Sequence, residues 1–203
     1  MLRVLIAGLL GLGFCFPGLA QEAVQPAVLF RNVQVFDGLH EELSAPCDVL
    51  VSGNQISRIG PGPLVTGDHA ATVIEGGGRV LMPGLIDNHA HIMFASIPMN
   101  VALSGDIGFV HVASTREAHA TLKRGFTTIR DMGGPCFGLK AAIDQGLVTG
   151  PRIFPSGAFV SQTGGHGDFR IPNDLPAKPG DYTHSERSGA AAIADSPDAG
   201  DAF

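Results

Sequence analysis

Residues 83–91 read PGLIDNHAH and place two histidines, His89 and His91, one residue apart at the end of a short apolar run. In an extended strand successive side chains alternate faces, so residues i and i+2 point the same way. Leu85 and Ile86 supply the apolar strand, and the two imidazoles then stand side by side at its carboxyl end. Two neutral imidazole nitrogens at that separation can share one divalent ion, at about 2.0–2.1 Å each for zinc. Asp87 lies on the same face one step earlier and can accept the other ring N–H of a ligand, which would set its tautomer. With eight histidines in the chain, a His-x-His pair also arises by chance. What raises its weight is the order of its surroundings: β-rich segments, a Pro-Gly entry, an apolar strand and then a polar exit.

Two further residues are candidates for catalytic work. His166 sits in residues 162–168, QTGGHGD, where the glycines suit a tight loop over a ligand. From such a loop His166 can contact substrate or a developing oxyanion, or it can simply be an exposed loop histidine. Asp131 closes a second predicted strand, where it can orient another active-site group or cap a loop. His111, His119 and His184 carry no spacing signal and read as surface residues. Gly133 and Gly134 lack the flanking pattern of a phosphate cradle.

The elements that must position these residues follow from periodicity. Residues 28–30, 33–36, 48–51, 55–59, 72–75 and 79–82 are short β signals broken by Asp37-Gly38, by the Gly53 turn and by Gly76-Gly77-Gly78. They read as a small antiparallel β unit. After Pro83-Gly84 the rhythm changes. Residues 106–124 have helical spacing and stop at Gly125, 126–130 are β-rich, 139–145 form a short helix closed by Gly146, and 152–154 form another strand. Alternating strands and helices imply parallel βα units. Residues 169–203 show no clear period and carry several prolines, so they read as loop or disorder, with a helical fragment over 190–193.

Composition narrows the function classes. The chain has 203 residues, 44% hydrophobic and 16% charged, with a formal net charge of -6. Thirteen Lys+Arg stand against 19 Asp+Glu with no basic run, which disfavours a nucleic-acid partner. Residues 1–20, with Arg3 ahead of an apolar run and small Gly18 and Ala20 at the end, fit a secretory signal. The run is shorter than the roughly 20 residues a membrane span needs. The expected location is therefore secreted or periplasmic, with no membrane attachment after cleavage. Cys47 and Cys136 would remain, and two separate buried thiols are expected in preference to a disulfide.

At this point the residues reach a family. VLMPGLIDNHAH resembles the first barrel strand of the amidohydrolase superfamily, and the preceding β unit is similar to that superfamily's small sandwich domain. GFTTIRDMGG and SGAFVSQTGGHGDF are similar to its imidazolonepropionase-like and Xaa-Pro dipeptidase (prolidase-like) branch. The resemblance covers roughly residues 27–193. It implies an α/β fold: the N-terminal portion of a metal-dependent (β/α)8 (TIM) barrel over 83–168, preceded by a β-sandwich domain over 21–82. It implies one or two divalent metals, usually zinc, with His89 and His91 as ligands. The expected reaction is hydrolysis of an amide or dipeptide-like C–N bond in a small substrate by a metal-activated water. His166 is not at a ligand position of the family pattern.

The pattern is incomplete in one respect. The family's other metal groups are a carboxylated lysine, two further histidines and an aspartate on the last strand. A complete barrel takes roughly 250 residues, and only three strands are legible after residue 81. Lys140 and Lys178 do not end a recognisable strand. The expectation is an N-terminal fragment whose open parallel sheet has a bare edge. The alternatives are a catalytically inert secreted fragment, or a pseudo-enzyme docked on a subunit that supplies the missing ligands. Whether the chain forms a homo-oligomer is left open.

Overall fold

Strand β1 (Ala27–Val35) buries Ala27, Leu29 and Val33, and Val33 packs with Cys47 and Val49. The computed structural model describes residues 26–66, 71–170 and 190–194. The predicted leader, residues 1–20, lies outside the described residues, as do His184 and Lys178. The described chain is mixed α/β and separates into two units between Met82 and Pro83. No helix among the described residues is long and apolar enough to cross a membrane.

The first unit is one sheet. β2 (Cys47–Ser52) pairs antiparallel with β1, and β3 (Gln55–Gly60) returns on β2 through a turn with Gly53 at φ 59°. β4 (Ala71–Glu75) and β5 (Val80–Leu81) both run parallel to β1. The sheet is therefore mixed, which corrects the all-antiparallel expectation. Asn32, at a positive φ of 49°, interrupts β1 between the stretch that pairs with β4 and the stretch that pairs with β5. The Gly76 and Gly78 amides donate to the Arg31 and Asn32 carbonyls, at 2.7 Å each. The glycine turn thus steps around the irregularity, and the chain continues along the same edge of β1 instead of reversing.

The second unit is built on a parallel sheet in the order β6-β7-β8, comprising Leu85–Ala90, Phe126–Asp131 and Arg152–Pro155. Helices α1 (Met99–Ser104) and α2 (Ile107–Lys123) connect the first two strands, and α3 (Phe137–Asp144) connects the next pair. The Asp106 carboxylate caps α2 by accepting the Phe109 amide at 2.9 Å, and Gly125 ends it at φ 95°. Ile129 and Ile153 point to one face of the sheet and pack with Val110, Ala118 and Leu139 of the helices. On the other face Ile86 and Phe154 are 63% and 55% exposed. Helix α1 was not foreseen.

Beyond β8, β9 (Phe159–Ser161) pairs parallel with β10 (Ala191–Ile193). The expected helical fragment over 190–193 is thus a strand. Alanine favours helix on its own. Here the β9 edge offers a ladder instead: the Phe159 amide donates to the Ala190 carbonyl and the Ala194 amide to the Ser161 carbonyl. Ala190 and Ala192 are buried by it, and their period of two is that of a strand.

Candidate active site

His89 and His91 come together at the carboxyl end of β6. Their ring centres are 5.1 Å apart and the planes are nearly perpendicular, at 83°. His89 is exposed and His91 half-buried. Between Asp87 and Ala90 the β6 strand carries one residue more than its partner β7, a bulge that re-aims the strand end. The Asp87 carboxylate is engaged by this bend. It accepts the His89 backbone amide at 3.0 Å rather than an imidazole N–H, which corrects the role expected for it.

The His91 ring is held from two other directions. Its Nδ1 is 3.5 Å from the Gly133 carbonyl. A carbonyl only accepts, so if this long contact is a hydrogen bond His91 donates it from Nδ1, and Nε2 is then the nitrogen left to hold an ion. The Phe159 ring packs on the imidazole with centres 5.0 Å apart. Phe159 was not singled out from the sequence and Gly133 was weighed only as part of a phosphate cradle, because each lies far along the chain from His91 and neither is a chemistry-bearing type.

Asp131 is fully buried at the end of β7. Its carboxylate accepts the Ile92 amide at 2.7 Å and the Gly133 amide at 3.3 Å, and the Cys136 thiol donates to it. Its own carbonyl accepts the Ser156 amide at 2.9 Å. Asp131 therefore ties together the segments that follow β6, β7 and β8. Burial pushes its pKa above the ordinary carboxylate value, against the opposing pull of these donors.

His166 lies on the segment that follows β9. It is exposed, on a loop closed by other groups. Asp168 accepts from Arg170 through both oxygens, at 2.6 and 2.7 Å, and from the Gly164 amide at 2.8 Å. The Arg170 guanidinium holds the Asp168 carboxyl well below the usual carboxylate range. The loop is thus rigidly tied at its base, and His166 projects from its rim.

A cleft of about 450 Å³ opens beside the pair, lined by Asp87, His89, His91, Phe94, Met99 and Ile129, among others. Glu117, Thr121 and Arg124 of α2 give it a polar wall, and Arg124 donates to both other side chains. Among the described residues no cluster of three or more His, Cys, Asp or Glu has the arrangement of a metal site. Cys47 and Cys136 are both buried free thiols.

Residues 80–201 match the amidohydrolase family. Ochratoxinase of Aspergillus niger is 39% identical over 99 residues, which is 46% of this chain and 20% of that protein. Imidazolonepropionase of Ectopseudomonas mendocina (strain ymp) is 43% identical over 68 residues, 33% of this chain and 16% of that enzyme. A prolidase crystallised with N-methylphosphonate-L-proline superposes with a TM-score of 0.69 at 35% identity, covering 82% of this chain and 40% of its own. The chain thus spans well under half the length of each of these relatives.

Proposed function

This chain belongs to the amidohydrolase family, and from that premise we propose that it carries the first metal-binding strand of a hydrolase acting on C–N bonds. The substrate class is a small amide or dipeptide-like molecule, as the names of the prolidase and ochratoxinase relatives suggest. The larger architecture proposed is the N-terminal portion of a (β/α)8 barrel, with the first unit contributing to a β-sandwich domain. The leader-like residues 1–20 favour export to the periplasm or beyond.

One observation carries the site. Two imidazoles bound to a single tetrahedral zinc at about 2.0–2.1 Å per bond have ring centres about 5 Å apart. His89 and His91 stand at 5.1 Å. Their donor chemistry fits a divalent ion, since imidazole suits Zn, Fe, Ni and Cu alike, and zinc is the ion the family resemblance implies. When bound there, such an ion lowers the pKa of water and polarises a carbonyl.

The chain's own residues do the rest. The Gly133 carbonyl, 3.5 Å from His91 Nδ1, favours the Nδ1–H tautomer, in which Nε2 is the nitrogen that would hold the ion. The buried Asp131 carboxylate fixes the backbone on both sides of that contact, through Ile92 and Gly133. The apolar wall of Phe94, Met99 and Ile129 reduces water access on one side of the cleft. In this reading His166 reaches substrate from the rim of its loop, and Asp131 serves by positioning.

A second reading is favoured by the absence of a third donor beside the pair among the described residues. In it this chain alone holds the ion weakly and turns over nothing, either as an inert piece or beside a subunit that completes the ligand set. Zinc uptake tests both readings. Purified chain competes for zinc with a chromophoric chelator, and His89→Ala and His91→Ala are each expected to abolish the strongest uptake. Unchanged uptake in both variants overturns the metal assignment. Hydrolysis of dipeptides by the wild type, lost in His89→Ala, overturns the inert reading.

A further inference from the structure

Resting on the reading of His91 as a metal ligand, we propose that Phe159 and Gly133 are positioning residues for it: the carbonyl of Gly133 accepts a hydrogen bond from Nδ1–H while the Phe159 ring fixes the imidazole plane, so that Nε2 alone is presented.

The two residues act as a unit because one makes room for the other. A Cβ built on Gly133 would fall 2.4 Å from the Phe159 ring, far inside contact distance. Only glycine there lets the ring lie over the turn and reach the imidazole. The packing of Phe159 on His91 is tilted, with 38° between the planes, so the ring limits rotation of the imidazole out of its plane. Phe159 is itself held on several sides. Phe94 stacks at 6.3 Å with 23° between planes, and Phe169 meets it edge-on at 5.1 Å. Its backbone is laddered to β10 through the Ala190 carbonyl. A Cβ on Gly167 would come 2.9 Å from the Phe159 Cβ, so the glycine-rich loop also closes tightly behind it. The glycines of the QTGGHGD and MGG segments therefore have a task beyond loop flexibility, since they admit the aromatic support of the ligand. His89 is exposed, and among the described residues its one ring contact is the T-shaped one with His91.

The test uses the whole chain and has two readouts. Long-range nitrogen–proton NMR of the metal-free protein reports the His91 tautomer, and chelator competition reports zinc affinity. The wild type is expected to hold the Nδ1–H tautomer. Phe159→Ala and Gly133→Ala are each expected to let His91 move toward the Nε2–H form that free histidine favours. Zinc affinity should fall about tenfold in both, the low end of what loss of an outer partner of a metal ligand costs. Phe159→Leu keeps apolar bulk in the strand and is expected to behave as Phe159→Ala in the tautomer. The double variant Gly133→Ala with Phe159→Ala should be no weaker than Phe159→Ala alone, because the added methyl then has room. A wild-type Nε2–H tautomer, wild-type behaviour of Phe159→Leu, or strictly additive losses would each overturn the proposal. Should the wild type bind no zinc, the functional reading fails by itself, and the tautomer data still decide the positioning role.

Discussion

Removing the Asp131 carboxylate tests whether one buried side chain holds the site together. It is fully buried and accepts two backbone amides, Ile92 at 2.7 Å and Gly133 at 3.3 Å. Leaving a buried donor unpaired costs about 1–3 kcal/mol. The Ile92 bond is short and its loss should be felt nearly in full, whereas the longer Gly133 bond contributes less. Asp131→Ala should therefore destabilise by about 3 kcal/mol. Asp131→Asn keeps one acceptor oxygen but turns an NH2 toward the second amide, and should cost about half that. Urea unfolding followed by circular dichroism measures both. The pH dependence adds a sign. Burial raises the folded pKa of Asp131 above the ordinary carboxylate value of 3.8, so between those two values the folded chain keeps a proton the unfolded chain has released. Stability is then highest below the unfolded value and falls as pH rises through the raised one. Asp131→Asn lacks this fall, so the wild type's advantage over it should shrink as pH rises through that window. A cost below about 1 kcal/mol for Asp131→Ala would refute the accounting, since neither amide would then depend on the carboxylate.

The remaining predictions concern the first unit and the buried thiol. Gly76→Ala places a Cβ 2.4 Å from Val33 Cγ1 and 2.6 Å from the Arg31 carbonyl oxygen, a backbone atom that cannot withdraw. It should cost about 1–3 kcal/mol, read as a lower urea midpoint, and an unchanged midpoint would mean the β1–β4 edge is looser than described. Burial, aided by Asp131, pushes the Cys136 thiol up to about 12, so almost no thiolate exists near neutral pH. Alkylation mapped by mass spectrometry should leave Cys136 unmodified in the native chain and modified in urea; rapid native labelling would contradict its burial.

Much of the second unit was legible because its punctuation is strong. Asp106 and Gly125 bracket α2 within a residue of the expected limits, since capping carboxylates and left-handed glycines act locally. The Gly146 stop of α3 worked for the same reason. The mixed pairing of the first unit was not legible. Gly76-Gly77-Gly78 announces a turn but does not say whether the chain reverses or steps aside. β4 already runs parallel to β1 before the glycines, and the Gly76 and Gly78 amides then bond the Arg31 and Asn32 carbonyls, so β5 follows the same edge, contacts that no local pattern displays. Likewise Ala190 and Ala192 became strand only because β9 was there to receive them.

For the site the division falls differently. His89 and His91 were picked out by their spacing alone, and their ring centres stand 5.1 Å apart although His91 lies past the end of β6 and a bulge precedes it. What orients the pair could not be read that way. Gly133 and Phe159 reach His91 through the turn after β7 and the strand after β8, so their proximity is a product of the parallel topology. A phenylalanine and a glycine also carry no titratable or ligating atom that would draw notice in a sequence. The same logic accounts for Asp131: its charge made it a candidate, but its partners are backbone amides, which no sequence displays. Residues that do chemistry are thus marked by type, whereas residues that aim them are marked only by where the fold delivers them. A substitution that changes aim without touching a ligand, such as Phe159→Ala, therefore tests whether this fold does more for His91 than hold its strand in place.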